Sequence, residues 1–224
     1  MSDLKLIIGN KNYSSWSLRP WLLLRHLGLE FDEYQLRLDT PEFTHDIPNW
    51  SPTRRVPALH HGSLVIWDSL AICEYACELA GGGLPEDRAA RAVARSIAAE
   101  MHAGFTALRE RWPMNARADR RRVPATPDLT RDLTRIEALW ADCRQRFGTT
   151  GPWLFGSYSL ADAMYAPVVL RFRTYGERFA SPTQDYLQTA LSDPHLREWL
   201  AAARAEPWMI AAAELGAAQA TLPG

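Results

Sequence analysis

The 224-residue chain is long enough for one large domain or two modest ones. Its 47% hydrophobic content, with 9 Trp and 7 Phe, excludes a disordered, charge-dominated segment. The 25 Lys and Arg nearly balance 26 Asp and Glu, so a net charge of -1 offers no overall attraction for nucleic acid or an anionic membrane and points to a small-molecule or protein partner.

The opening MSDLKLIIGN holds an apolar run too short for a signal-peptide core, and no stretch reaches about 18 apolar residues, so a cytoplasmic chain without a membrane span is expected. Cys73, Cys77 and Cys143 form no paired framework, in keeping with a reducing compartment. Cys73 and Cys77 are one helical turn apart and read as core, because no neighbouring His or Cys completes a metal site.

In chain order, the apolar run 4–8 predicts a buried strand and the pattern over 17–27 a helix closed by Gly28. Pro20 is tolerated best in a first turn, which places the helix start near Ser17 and leaves 12–16 as loop. Residues 31–38 alternate as a second strand, parallel to the first after the crossover. The Pro-containing stretch 41–52 suits an irregular or short helical connection. Strands over 56–60 and 64–67 then flank a turn at His61, Gly62 and Ser63. Asp68 and Ser69 offer N-cap chemistry for a helix to about Leu79, stopped by Gly81, Gly82, Gly83 and Pro85.

From Glu86 the chain turns Ala- and Arg-rich, with helical periodicity over about 86–112, 128–147, 159–175 and 194–205 and no convincing strand. Ser159 to Asp162 forms an S-x-x-D capping pattern. The order is β-α-β, loop, β-β-α, linker, helix bundle.

That order resembles the soluble glutathione S-transferases: an α/β thioredoxin-like N-terminal domain, here 1–81, joined to an all-α C-terminal helical bundle, here 86–224. Three local matches carry the resemblance. Arg54-Arg55-Val56-Pro57-Ala58-Leu59 is similar to the segment where the family has a cis proline and pairs the preceding backbone with the cysteinyl part of glutathione. Trp67-Asp68-Ser69 resembles the acidic-Ser step that holds the γ-glutamyl group, where a helix N-terminus suits a carboxylate and Asp68 suits the ammonium. Ser14-Ser15-Trp16-Ser17-Leu18-Arg19 resembles the S-S-C-S-W-R segment of zeta-class members, including maleylacetoacetate isomerases, departing from it at Trp16 and Leu18.

The resemblance implies glutathione as co-substrate, bound by Ser15, Trp16, Arg55, Val56, Pro57, Asp68 and Ser69, with no metal, and a homodimer. It implies Ser14 as the catalytic hydroxyl, with Ser15 and Tyr13 as alternates. A free thiol has a pKa near 8.5, and lowering it by about 2 units takes roughly 2.7 kcal/mol. One hydroxyl hydrogen bond to an anion supplies about 1.5 to 3 kcal/mol and a helix N-terminus about 0.3 to 1, so the serine acts as a donor to sulfur.

A small hydrophobic or carboxylate electrophile is expected between the domains. Met101, Phe105, Arg109 and Trp112 recur at helical spacing and fit either that site or the core, and Arg173 falls near the zeta carboxylate-binding position. The reading is a glutathione transferase. Its alternatives are an isomerase of the zeta kind and a non-catalytic glutathione-binding interaction module; a glutathione-dependent reductase is disfavoured because no Cys precedes position 73.

Overall fold

The computed structural model describes residues 3–176, 179 and 181–218. β1 (Leu4–Ile8), α1 (Ser15–His26) and β2 (Asp32–Gln35) form the parallel unit, with Lys5 opposite Asp32 and Ile8 opposite Gln35. Leu6, Ile7 and Ile8 are wholly buried in the middle of the sheet, which is why β1 is continuously apolar instead of alternating. β2 is shorter than 31–38: its DEYQ sequence lies at the sheet edge, and pairing ends where the Leu36 N–H meets the Ile8 carbonyl at 2.8 Å.

α1 starts at Ser15, two residues earlier than Pro20 suggested, so Ser15 and Trp16 lie in its first turn and Pro20 lies in its second. The Ser14 hydroxyl caps it, accepting from the Ser17 N–H at 3.4 Å. Pro20 removes the N–H that would bond to the Trp16 carbonyl. Burial of Leu18, Trp21, Leu22, Leu23 and Leu24, where α1 packs between the sheet domain and the bundle, offsets that loss.

α2 (Pro41–Asp46), capped by Thr40, leads through a 3-10 turn to the hairpin of β3 (Ala58–His61) and β4 (Leu64–Trp67), completing the mixed sheet β2-β1-β3-β4. The Val56–Pro57 peptide is cis. Pro57 has no N–H for the ladder, so β3 begins at Ala58 and not at Val56. α3 (Ser69–Ala80) runs from its Asp68 cap to Gly81, at φ +63°.

The helical half contains α4 (Arg88–Ala103), α5 (Thr106–Arg111), α6 (Pro127–Phe147), α7 (Leu160–Tyr175), α8 (Ser181–Ser192) and α9 (Pro194–Ala205). The single helix expected over 86–112 breaks at Gly104 and Phe105: Phe105 takes φ +59° and turns its ring into the core, and the Asp132 carboxylate accepts the Leu108 N–H at 2.9 Å. α8 was not anticipated. Two short strands, β5 (Arg121–Arg122) and β6 (Ala217–Ala218), also lie in the half read as purely helical; they tie the stretch after α9 back onto the loop before α6.

Residues 206–216 run across the loop before α1. The Glu206 carboxylate accepts the N–H groups of Lys11 at 2.6 Å and Asn12 at 3.1 Å. Arg117 joins the two stretches, donating to the Glu206 and Trp208 carbonyls and to the Tyr13 hydroxyl.

Candidate active site

A cavity of about 310 Å³ opens between the sheet and the bundle. Its walls bring together residues from three separate turns: Trp16 in the first turn of α1, Arg55-Val56-Pro57 ahead of β3, and Trp67-Asp68-Ser69 at the β4–α3 junction. His102, in the last turn of α4, closes it from the helical side. The cis peptide thus stands directly beside an open helix end.

Asp68 sits at φ +76°, a left-handed conformation that a non-glycine residue adopts when its surroundings compel it. Its Oδ1 accepts the N–H groups of Leu70 at 2.9 Å and Ala71 at 3.3 Å, while Oδ2 lies 3.2 Å from His102 Nε2. Ser69 is 1% exposed, and among the described residues its hydroxyl has no hydrogen-bond partner. A buried hydroxyl on a cavity wall that bonds nothing in the protein can bond a polar ligand atom.

The three candidate hydroxyls have different surroundings, and none lines this cavity. Ser14 is buried and donates to Ser17 Oγ at 2.7 Å. Tyr13 donates to Glu214 at 2.6 Å and accepts from Arg117 at 2.8 Å; burial, followed by the Glu214 hydrogen bond, raises its pKa. Ser15 is half-buried at the first position of α1, and among the described residues its hydroxyl has no partner.

Met101, Phe105 and Trp112 are buried in the main core. Arg109 is half-buried, with its Cζ 4.7 Å from the Trp16 ring centre, and it donates to the Met101 and His102 carbonyls. Arg173 donates to the carbonyls of Ala116 and Ala118, away from the cavity. Arg171 bonds the Trp112 and Pro167 carbonyls. His102 was not singled out beforehand: nothing in the sequence marks the end of α4 as facing Asp68.

Burial pushes the Cys73 thiol well up and the Cys77 and Cys143 thiols to about 12, so none of the three is a ready nucleophile. Among the described residues, no group of three or more His, Cys, Asp or Glu could hold a metal ion, and no helix is long and apolar enough to cross a membrane.

A mixed four-stranded sheet carrying a cis-proline turn and an open helix end on one cavity, continued into a helical bundle, defines a thioredoxin-like domain in a glutathione-transferase arrangement. Two family models match the chain, one described as glutathione S-transferase, N-terminal domain, over residues 13–79 and one as glutathione S-transferase, C-terminal domain, over residues 90–202. The chain belongs to the glutathione S-transferase family.

Among solved structures, a glutathione transferase homolog from Burkholderia gl BGR1 with bound glutathione is similar at a TM-score of 0.67 and 22% identity, over 91% of this chain and 99% of that one. A theta-class glutathione S-transferase from Xanthomonas axonopodis pv. citri, also with glutathione bound, gives 0.63 and 21%, over 89% and 98%. A family member from Pseudomonas fluorescens Pf-5 with two glutathione bound gives 0.64 and 17%, over 88% and 92%. No curated protein matches the chain in sequence.

Proposed function

We propose that the chain binds glutathione in the cavity and activates its thiol for attack on a small electrophile. The buried Ser69 hydroxyl on the cavity wall beside Asp68, without a partner among the described residues, is the observation that carries this reading. Asp68 already occupies the Leu70 and Ala71 N–H groups, so the γ-glutamyl carboxylate takes the Ser69 hydroxyl and N–H, where the helix dipole favours an anion. The ammonium takes Asp68, and the cysteinyl backbone pairs with Val56 beside Pro57, flanked by Arg55 and Trp16. The glutathione-bound relatives support this ligand class. In this scheme 1–81 is the glutathione-binding domain and 86–224 contributes the electrophile side, through His102 and Arg109 next to Trp16.

The sulfur then lies at the N-terminus of α1. We assign its hydroxyl donor to Ser15, because the Ser14 proton is engaged by Ser17 and the Tyr13 proton by Glu214. Ser14 shapes the helix start and keeps the zeta-like segment in register. Conjugation is favoured over isomerisation of a diacid, since Arg173 is not on the cavity wall and its Nη2 donates to the Ala116 and Ala118 carbonyls. A homodimer completes the reading, with exposed Leu64 and Trp67 on the edge strand β4 as the face for a second copy, in a reducing cytoplasm.

The two serines separate experimentally. S15A is expected to lower kcat by about 10- to 100-fold with S-methylglutathione affinity unchanged, consistent with loss of a 1.5–3 kcal/mol hydrogen bond to an anion. S14A is expected to lower stability by about 1 kcal/mol as a lost cap. A kcat loss confined to S14A at wild-type stability would reverse the assignment. Absence of turnover by the intact protein over a broad electrophile panel would favour a non-catalytic binding module.

A further inference from the structure

Arg19 lies one turn after Trp16 on α1, and helical side chains lean toward the N-terminus, so it reaches back beneath the indole. The residue is 2% exposed, and among the described residues its Nε and Nη1 have no acceptor. Its Cζ is 4.3 Å from the Trp16 ring centre. Arg109 stands 4.7 Å from the same ring, and its Nε is likewise buried and unpartnered. A third guanidinium, Arg171, is buried nearby and repels both.

The hydrogen bonds that Arg109 and Arg171 do make go to backbone carbonyls, which satisfy donors without cancelling charge. The groups whose charge favours Arg19 are Cys73, whose thiol burial keeps protonated, and Asp68, which is on the cavity wall. Asp132 plays that part for Arg109. Burial, then repulsion from Arg109 and Arg171, pulls the Arg19 guanidinium down to about 9, so it stays charged at neutral pH. A buried cation without a paired anion is expensive to fold around. Here the excess positive charge backs one wall of the cavity, at Trp16.

We propose that Arg19, assisted by Arg109, supplies across the Trp16 ring the net positive charge that holds the glutathione sulfur as thiolate. The inference rests on the placement of glutathione given above. The S–H bond breaks heterolytically: the electron pair stays on sulfur and the proton leaves to water, with no bond formed to the protein. Ser15 contributes a directed hydrogen bond but no charge; Arg19 contributes charge without contact. Field through the protein interior is screened less than field through water.

The experiment follows the thiolate absorbance of bound glutathione against pH in the full-length protein and in R19M, R19K and R109M, with S-methylglutathione affinity measured in parallel. R19M is expected to raise the bound-thiol pKa by about one unit and to lower kcat/KM about tenfold below the wild-type thiol pKa, with little difference well above it. S-Methylglutathione, which has no thiol to ionise, should bind R19M within about twofold of wild type. R19K should keep the thiol pKa near wild type, and R109M should move it in the same direction as R19M by less. A thiol pKa unchanged in R19M overturns the proposal. If R19M does not fold, an unchanged value in R109M overturns it. Failure of the wild-type protein to bind S-methylglutathione is a different result, and it removes the glutathione placement itself.

Discussion

Ser69 and Asp68 divide the work at the mouth of α3. Asp68 spends one oxygen on capping the helix and faces His102 with the other, whereas the Ser69 hydroxyl contributes nothing to the fold that a methyl group would forfeit. S69A should therefore weaken glutathione binding by about 5- to 30-fold, a loss of roughly 1–2 kcal/mol, and leave the melting temperature where it is or slightly higher. Calorimetric titration with a matched thermal melt checks both; a lower melting temperature at unchanged affinity would make Ser69 a structural residue. The placing of Val56-Pro57 and Asp68-Ser69 at two turns was legible in advance, because each pair lies within one local stretch. Arg19 and His102 were not, since their chemistry comes from neighbours far along the chain. The choice among Tyr13, Ser14 and Ser15 also depended on distant partners, above all Glu214.

At the level of elements, the structure departs from local preference where tertiary packing outweighs it. Pro20 argued for a late start to α1, yet a helix buried on nearly every side keeps its register through a missing N–H. α8 escaped notice because Thr183, Tyr186, Leu187 and Ala190 mark its buried face at helical spacing but include a polar residue and a small one, a weak apolar signal. The start of α7 was legible from S-x-x-D, and it carries a pH signature. Asp162 is wholly enclosed; burial pushes its carboxyl up to about 6, against hydrogen bonds from the Leu154 N–H, Ser159 and the Tyr186 hydroxyl. The folded state thus holds this proton more tightly than the unfolded chain, so the group's contribution to stability is greatest in acid and declines as pH rises from about 4 to about 6. D162N should lose that slope in melting temperature against pH, and should be less stable overall by about 2–4 kcal/mol because its amide cannot accept from every donor around it.

For the molecule as a whole, a strand domain followed by a bundle could be read from the change in periodicity after Gly83, but the way residues 206–216 return to the loop before α1 could not. Charged and polar pairs so far apart in sequence leave no periodic trace. E206A tests that connection. Leaving the Lys11 and Asn12 N–H groups without their acceptor should cost about 2 kcal/mol, roughly 4–8 °C for a chain of this size. Glutathione affinity should fall with it, although Glu206 is not on the cavity wall; an affinity unchanged at the lower melting temperature would show that the loop keeps its shape unaided.

The clamp from Glu206 and Arg117 onto residues 11–13 also sets an order of events during synthesis. The strands of the sheet are all made once the first third of the chain has emerged, but the backbone ahead of Ser14 waits for partners made almost two hundred residues later, on the order of 10 to 40 s at ordinary translation rates. On the ribosome, the loop ahead of α1 is therefore the last part next to the cavity to mature, and a nascent chain halted within α9 would carry the cavity walls without the contacts that hold that loop.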